Sequence, residues 1–246
     1  MSILQGLEEA YLDTPAAHTA MWEHCLAQME ATPWLKEHRD FVEAGGYGYG
    51  ERQFHWLWSA LVEAMPPQGK FLEIGVFQGQ ILSLVALAAK QHKKQVECIG
   101  VSPLDSTGEI GHQHPDMDYI QCIKEMHLSF DLPYPKILRG LSFDPRIQEV
   151  AKNDFAPIDL LLIDGCHDKA VVVDDIRTYS QLVRTGGYLV MDDACNDLQI
   201  PDGMINQNWK GMPGVTEAVK ETMLMDTLRW EQTLAVGHQR VFRRLA

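Results

Sequence analysis

The segment Ile158-Asp159-Leu160-Leu161-Leu162-Ile163 constrains this chain most, because it carries a single polar side chain and ends in Asp164-Gly165. A strand of that composition has no face to give to water. It belongs in a sheet covered on both sides, as in parallel sheets flanked by helices. Apolar runs at 70–74, 96–101, 136–139, 158–163 and 188–191 alternate with amphipathic stretches at 79–92, 120–130, 145–153 and 170–184. That rhythm predicts an α/β fold with a mostly parallel sheet. The tail departs from it: 228–236 and 239–245 read as two strands turning at Gly237-His238, an antiparallel edge hairpin.

Before the first strand the pattern is helical. Met21, Trp22, Cys25, Leu26, Met29, Trp34 and Leu35 recur at three- and four-residue steps between 16 and 42, interrupted by Pro33. A helix over 53–65 stops ahead of Pro66-Pro67, since a residue preceding proline is pushed out of helical geometry. Between these lies the glycine-rich loop at 45–54, with Tyr47 and Tyr49. It reads either as a lid or as a connector without a ligand. The chain thus divides into an N-terminal helical extension with its loop, 1–66, and an α/β core, 67–246. Trp22, Trp34, Trp56 and Trp58 read as core residues more readily than as a self-association surface, and a homo-oligomer stays open.

Charge excludes some partners. Lys and Arg number 21 against 34 Asp and Glu, a formal net charge of −13 in 246 residues. Such a surface repels phosphate backbones and anionic lipid, so neither nucleic acid nor a membrane is the expected partner. No apolar run reaches the roughly 20 residues of a spanning helix. The first residues lack the basic and apolar regions of a secretory leader. The five cysteines show no CxxC spacing, which argues against a zinc site or disulfide framework. A cytoplasmic protein with reduced thiols is expected.

Three constellations carry chemistry. In Phe71-Leu72-Glu73-Ile74-Gly75 a strand enters a turn that reaches Gly79 and then a helix. Glycine permits close approach to a ligand, and the helix start offers free N–H groups. The middle glycine of GxGxxG is missing, which disfavours a dinucleotide and leaves a plain turn as the alternative. The long apolar strand ends at Asp164 and presents His167 three residues later, either a general base or a surface histidine. The next strand ends at Asp192-Asp193. If the two strands are neighbours, three carboxylates converge and call for a cation, with oxygen ligands suiting Mg²⁺. Asp174-Asp175 reads instead as a solvated helix face.

The order EIGVFQG, GLSFD, IDGCHD, GGYLVMDD, PGVTEAV, spanning 71 to about 219, resembles class I S-adenosylmethionine-dependent methyltransferases. More narrowly it is similar to the Mg²⁺-dependent O-methyltransferases of sugars and natural products, including proteins described as cephalosporin hydroxylases or rhamnosyl methyltransferases. The resemblance implies a Rossmann-like, doubly wound sheet and transfer of a methyl group from S-adenosylmethionine to a small hydroxylated acceptor. It implies that Asp164, Asp192 and Asp193 ligate Mg²⁺ and that His167 is the base. Glu73, Gly75, Gly79 and Asp164 would surround the cofactor, with Ser142 near the adenine. One departure stands out: the acidic residue expected at the end of the second strand is Ser102, with Asp105 three positions later. The ribose is then held by Asp105 reaching back or by Glu73. That gap also supports the alternative reading, a non-catalytic binding or scaffold domain.

Overall fold

The structure, a computed structural model, describes residues 2–107, 114, 116–204 and 210–246. Four helices come first: α1 (Ile3–Ala10), α2 (Pro15–Ala31), α3 (Pro33–Gly45) and α4 (Arg52–Ala64). Thr14 caps α2 by accepting from the Ala17 amide, and proline occupies the first turn of both α2 and α3, where an amide would lack a partner anyway. Strand β1 (Gln68–Ile74), helix α5 (Gln80–Gln91), β2 (Gln95–Ser102), α6 (Tyr119–Ser129), β3 (Lys136–Arg139), α7 (Pro145–Val150), β4 (Ile158–Ile163), α8 (Lys169–Tyr179) and β5 (Val183–Met191) follow. The chain closes with α9 (Pro213–Glu221), β6 (Trp230–Val236) and β7 (Gln239–Arg244).

The seven strands form one sheet in the order β3-β2-β1-β4-β5-β7-β6, in which only β7 runs antiparallel to its neighbours. The expected α/β architecture with an antiparallel C-terminal hairpin and N-terminal helices is what is found. Strand β4 shows why its sequence is apolar apart from Asp159. Leu160 and Leu162 pack into one hydrophobic cluster, with α1, α2, α4 and α5, while Leu161 and Ile163 enter a second, with α8 and α9. Trp22 and Trp58 are buried in the first cluster, and Trp34 and Trp56 pack against it. Among the described residues no helix is long and apolar enough to cross a membrane.

Three boundaries differ from the sequence reading. The helix expected over 170–184 ends at Tyr179 and passes through a 3₁₀ turn at Ser180–Leu182, because strand β5 begins at Val183. The β4–β5 register shifts between Ile158 and Leu160, which accommodates Arg184 and the Gly186-Gly187 pair within β5. The stretch after Pro145 narrows to α7 and continues as a π turn at Ala151–Phe155. Helices α1 and α9 were not anticipated.

Asp175 is a correction of another kind. It is 1% exposed rather than solvated, on the face of α8 that meets the sheet, beside Ser142. Burial pushes its carboxyl up from 3.8 to about 7, against the lowering influence of the nearby Ser142 hydroxyl. The folded state therefore binds this proton more tightly than the unfolded chain between about pH 4 and 7. The stability it carries is present at low pH and lost as pH rises through that window. Asp175→Asn cannot ionise and is expected to raise stability at pH 8 by roughly 1–3 kcal/mol while changing little at pH 4. Urea denaturation at both pH values measures this, and an equal change at both would contradict it.

Candidate active site

Strand register brings the site together. Ile74 pairs with Ile163, and Ile163 with Met191, so Gly75, Asp164 and Asp192 come abreast at the carboxyl rim of β1, β4 and β5. Backbone bonds hold them there: the Asp164 amide donates to the Ile74 carbonyl at 2.9 Å, and the Asp192 amide to that of Ile163 at 3.1 Å. Gly75 has φ +99°, and a Cβ there would fall 1.9 Å from the Asp164 carbonyl oxygen. Only glycine lets β1 and β4 leave the sheet this close together.

Burial, then the charges of Asp192, Asp193 and Glu73, hold the Asp164 carboxyl well above the usual carboxylate range. Glu73 is 3% exposed, and its Oε2 has no hydrogen-bond partner. Burial pushes it up to about 8, partly offset by a backbone bond at Leu82.

Asp193 occupies the left-handed region at φ +53°, a conformation that costs a residue with a Cβ about 1 kcal/mol or more. Its carbonyl accepts from the Met212 amide at 2.9 Å. The turn aims its carboxylate between two imidazoles: Oδ2 lies 3.1 Å from His167 Nε2 and Oδ1 lies 3.1 Å from His238 Nδ1. His167 stands just before α8, whose N-cap Asp168 accepts from the Ala170 and Val171 amides and fixes the chain at that point.

His238 is a site residue that the sequence reading missed. Because β6 runs parallel to β5 and β7 returns, the β6–β7 turn lies at the same rim where β5 ends. His238 Nδ1 is 2.8 Å from Asp192 Oδ1, and its carbonyl accepts from the Ala194 amide at 3.2 Å. Burial pulls the imidazole down, but the charges of Asp192 and Asp193 prevail and push it up to about 10. One donor atom each from Asp192, Asp193 and His238 lies within 4.8 Å of the others, a spacing able to hold a metal ion. The sequence signal available was the position of His238 in the turn of the edge hairpin.

Asp164, His167, Asp192, Asp193 and His238 line a cavity of about 490 Å³, with Glu73, Tyr47, Tyr49, Phe54 and Phe77 also among its walls. The glycine-rich loop is tied down over it. Arg39 donates to the Gly50 carbonyl at 2.7 Å, Gln78 to that of Gly46 at 3.1 Å, and the Tyr47 hydroxyl to Glu125 at 3.1 Å. A smaller cavity of about 130 Å³ is lined by Ser102, Asp105, Ser142 and Val171. The two share Gly75, Phe77, Asp164 and Gly165.

The remaining predicted residues separate by role. Ser102 reaches the small cavity, but its hydroxyl donates to the Val76 carbonyl at 2.8 Å, tying β2 to the turn after β1. Asp105 is exposed and accepts from the Thr107 amide at 2.8 Å. Ser142 is half-buried, and its carbonyl accepts from the Tyr179 hydroxyl at 2.8 Å. Gly79 lines neither cavity. It starts α5 at φ +86°, where a Cβ would come within 2.9 Å of the Ile123 side chain.

Residues 72–194 match the family model described as a methyltransferase domain. The uncharacterized protein R132 of Acanthamoeba polyphaga mimivirus is 30% identical over 125 residues, and this chain spans about half the length of that relative. Among solved structures, the fold is similar to that of calicheamicin methyltransferase CalS11, with a TM-score of 0.57 at 14% identity, covering 96% of each chain. It is also similar to an O-methyltransferase from Bacillus cereus in complex with SAH, with a TM-score of 0.57 at 16% identity, covering 87% of this chain and 91% of that one. A Corynebacterium glutamicum protein gives 0.58 at 13% identity, covering 91% of this chain and 97% of that one.

The close approach at Gly75 is testable without any ligand. Gly75→Ala is expected to cost about 3 kcal/mol or more, combining the left-handed φ with a backbone overlap. Chemical denaturation measures it, and a loss under about 0.5 kcal/mol would mean the strands part easily.

Proposed function

Since this chain belongs to the methyltransferase-domain family, we propose that it moves a methyl group from S-adenosylmethionine to a hydroxyl of a sugar-bearing or related natural product, with Mg²⁺ at the Asp164, Asp192 and Asp193 carboxylates. The observation that carries the reading is the junction of the two cavities at Gly75, Phe77, Asp164 and Gly165. A donor in the smaller space and an acceptor in the larger one would meet beside His167. The sugar acceptor is supported by the likeness to CalS11, described as a TDP-rhamnose 3'-O-methyltransferase.

The residues suit both groups. Glu73 offers a buried, unpartnered carboxylate oxygen to the cationic amino group of the cofactor's methionine portion. Gly75 opens the turn where a side chain would intrude. The rim carboxylates, with buried Asp192 Oδ1 lacking a hydrogen-bond partner, suit a divalent cation. Such an ion would supply Lewis acidity to the acceptor hydroxyl.

This chain's own side chains do the rest. His167 takes the acceptor hydroxyl's proton, which a neutral alcohol must lose to become a good nucleophile. Asp193 orients the imidazole through Nε2 and stabilises it once charged. Tyr47, Tyr49 and Phe54 wall the larger cavity, which supports reading the glycine-rich loop as a lid that would close over the acceptor and exclude water. The alignment of donor and acceptor supplies the remainder, because the sulfonium is already activated.

Methyl transfer to TDP-rhamnose and to a panel of catechols, followed by mass spectrometry, tests the acceptor class. Chelation is expected to abolish turnover and Mg²⁺ to restore it. His167→Gln is expected to lower kcat roughly a hundredfold to ten-thousandfold with S-adenosylmethionine affinity unchanged. A full rate in that variant would remove His167 as base. Calorimetry that detects no S-adenosylmethionine binding would favour the non-catalytic scaffold.

A further inference from the structure

We propose that His238 is itself a metal ligand, so that the site takes a first-row transition dication such as Mn²⁺ in preference to Mg²⁺. This rests on the reading that a cation binds at the rim carboxylates and specifies which cation it is.

Three observations meet at this residue. The first is spacing: His238 Nδ1 lies 2.8 Å from Asp192 Oδ1 and 3.1 Å from Asp193 Oδ1. Two donors each about 2.1 Å from one ion and at right angles to each other are about 3 Å apart. The second is direction. Nδ1 and Asp192 Oδ1 are buried, yet despite their closeness neither makes a hydrogen bond of acceptable angle. Buried polar atoms left in this way call for another partner. The third is rigidity. His238 is 7% exposed, its ring meets Phe54 edge-on at 4.7 Å, and the neighbouring Gln239 accepts from the Trp58 indole at 3.1 Å. The imidazole is therefore placed by the core, and ordering it on binding costs little entropy.

Donor chemistry sets the preference. Oxygen-only ligand sets suit Mg²⁺, whereas an imidazole nitrogen favours the transition metals, increasingly so from Mn²⁺ toward Cu²⁺. Asp192, Asp193 and His238 form a mixed oxygen and nitrogen set.

The experiment uses Mn²⁺ as probe and reads the metal directly. Pulsed electron paramagnetic resonance of the Mn²⁺-loaded full chain is expected to show modulation from a directly bound ¹⁴N. The modulation should persist in His167→Gln and disappear in His238→Gln. By calorimetry, His238→Gln should weaken Mn²⁺ at least tenfold and Mg²⁺ less than threefold, with S-adenosylmethionine binding retained. Absence of nitrogen modulation in the natural chain, its persistence in His238→Gln, or its loss in His167→Gln would overturn the proposal. If His238→Gln does not fold, the spectra of the natural chain and of His167→Gln still decide. S-adenosylmethionine binding without any Mn²⁺ binding would overturn the ligand role and leave methyl transfer standing. Loss of both would remove the underlying function.

Discussion

Carboxylates gathered at the end of a parallel sheet must find a counter-charge, and much of this molecule is arranged around that need. Register places Asp164 next to Asp192, and the left-handed turn at Asp193 brings a further carboxylate into the same space. Each is largely out of water, where unlike charge is worth more and like charge costs more than at a surface. Burial and its neighbours favour the neutral form of Asp164, which relieves part of the repulsion, and imidazole nitrogens of His167 and His238 stand beside Asp193.

The elements that serve this rim do not belong to one layer of the fold. His167 comes from the lead-in to α8, on one side of the sheet, and His238 from the turn of the edge hairpin. The hairpin is fixed from the other side by α4, through Trp58 to Gln239 and through Phe54 to His238. The N-terminal helices thus do two things in one packing arrangement. They cover a sheet face that β4 cannot leave exposed, and they carry the loop whose residues line the larger cavity.

Legibility in the sequence followed the range of the interaction. The apolar runs of β3 and β4 were readable because their bounds depend on residues within them. The start of β5 was not, since the register shift between Ile158 and Leu160 depends on how two distant strands meet. Asp164, Asp192 and His167 stand at strand ends or helix starts, which local pattern reveals. Asp175 was misread because its neighbour Asp174 is only half-buried, and a one-residue rotation on a helix separates water from core. Ser102 stood out as a departure at the strand end. Its bond to the Val76 carbonyl, which spends the hydroxyl on holding the turn, appears only when β1 and β2 are side by side.

His238 is the instructive omission, because topology alone accounts for it. Here β6, reached through α9, runs parallel to β5 and antiparallel β7 starts at the rim, so the tight turn between the two strands delivers its side chains to the site. The same reversal closes the sheet edge with a hairpin whose inner strand is buried at Val241 and Phe242. Burial of those residues fixes the register of β7 against β5, because a slip by one residue would turn its apolar side chains to the opposite face. The register then fixes the height of the turn relative to Asp192. A histidine in a turn is ordinarily a solvated surface residue, and here the packing of the strand behind it removes that freedom.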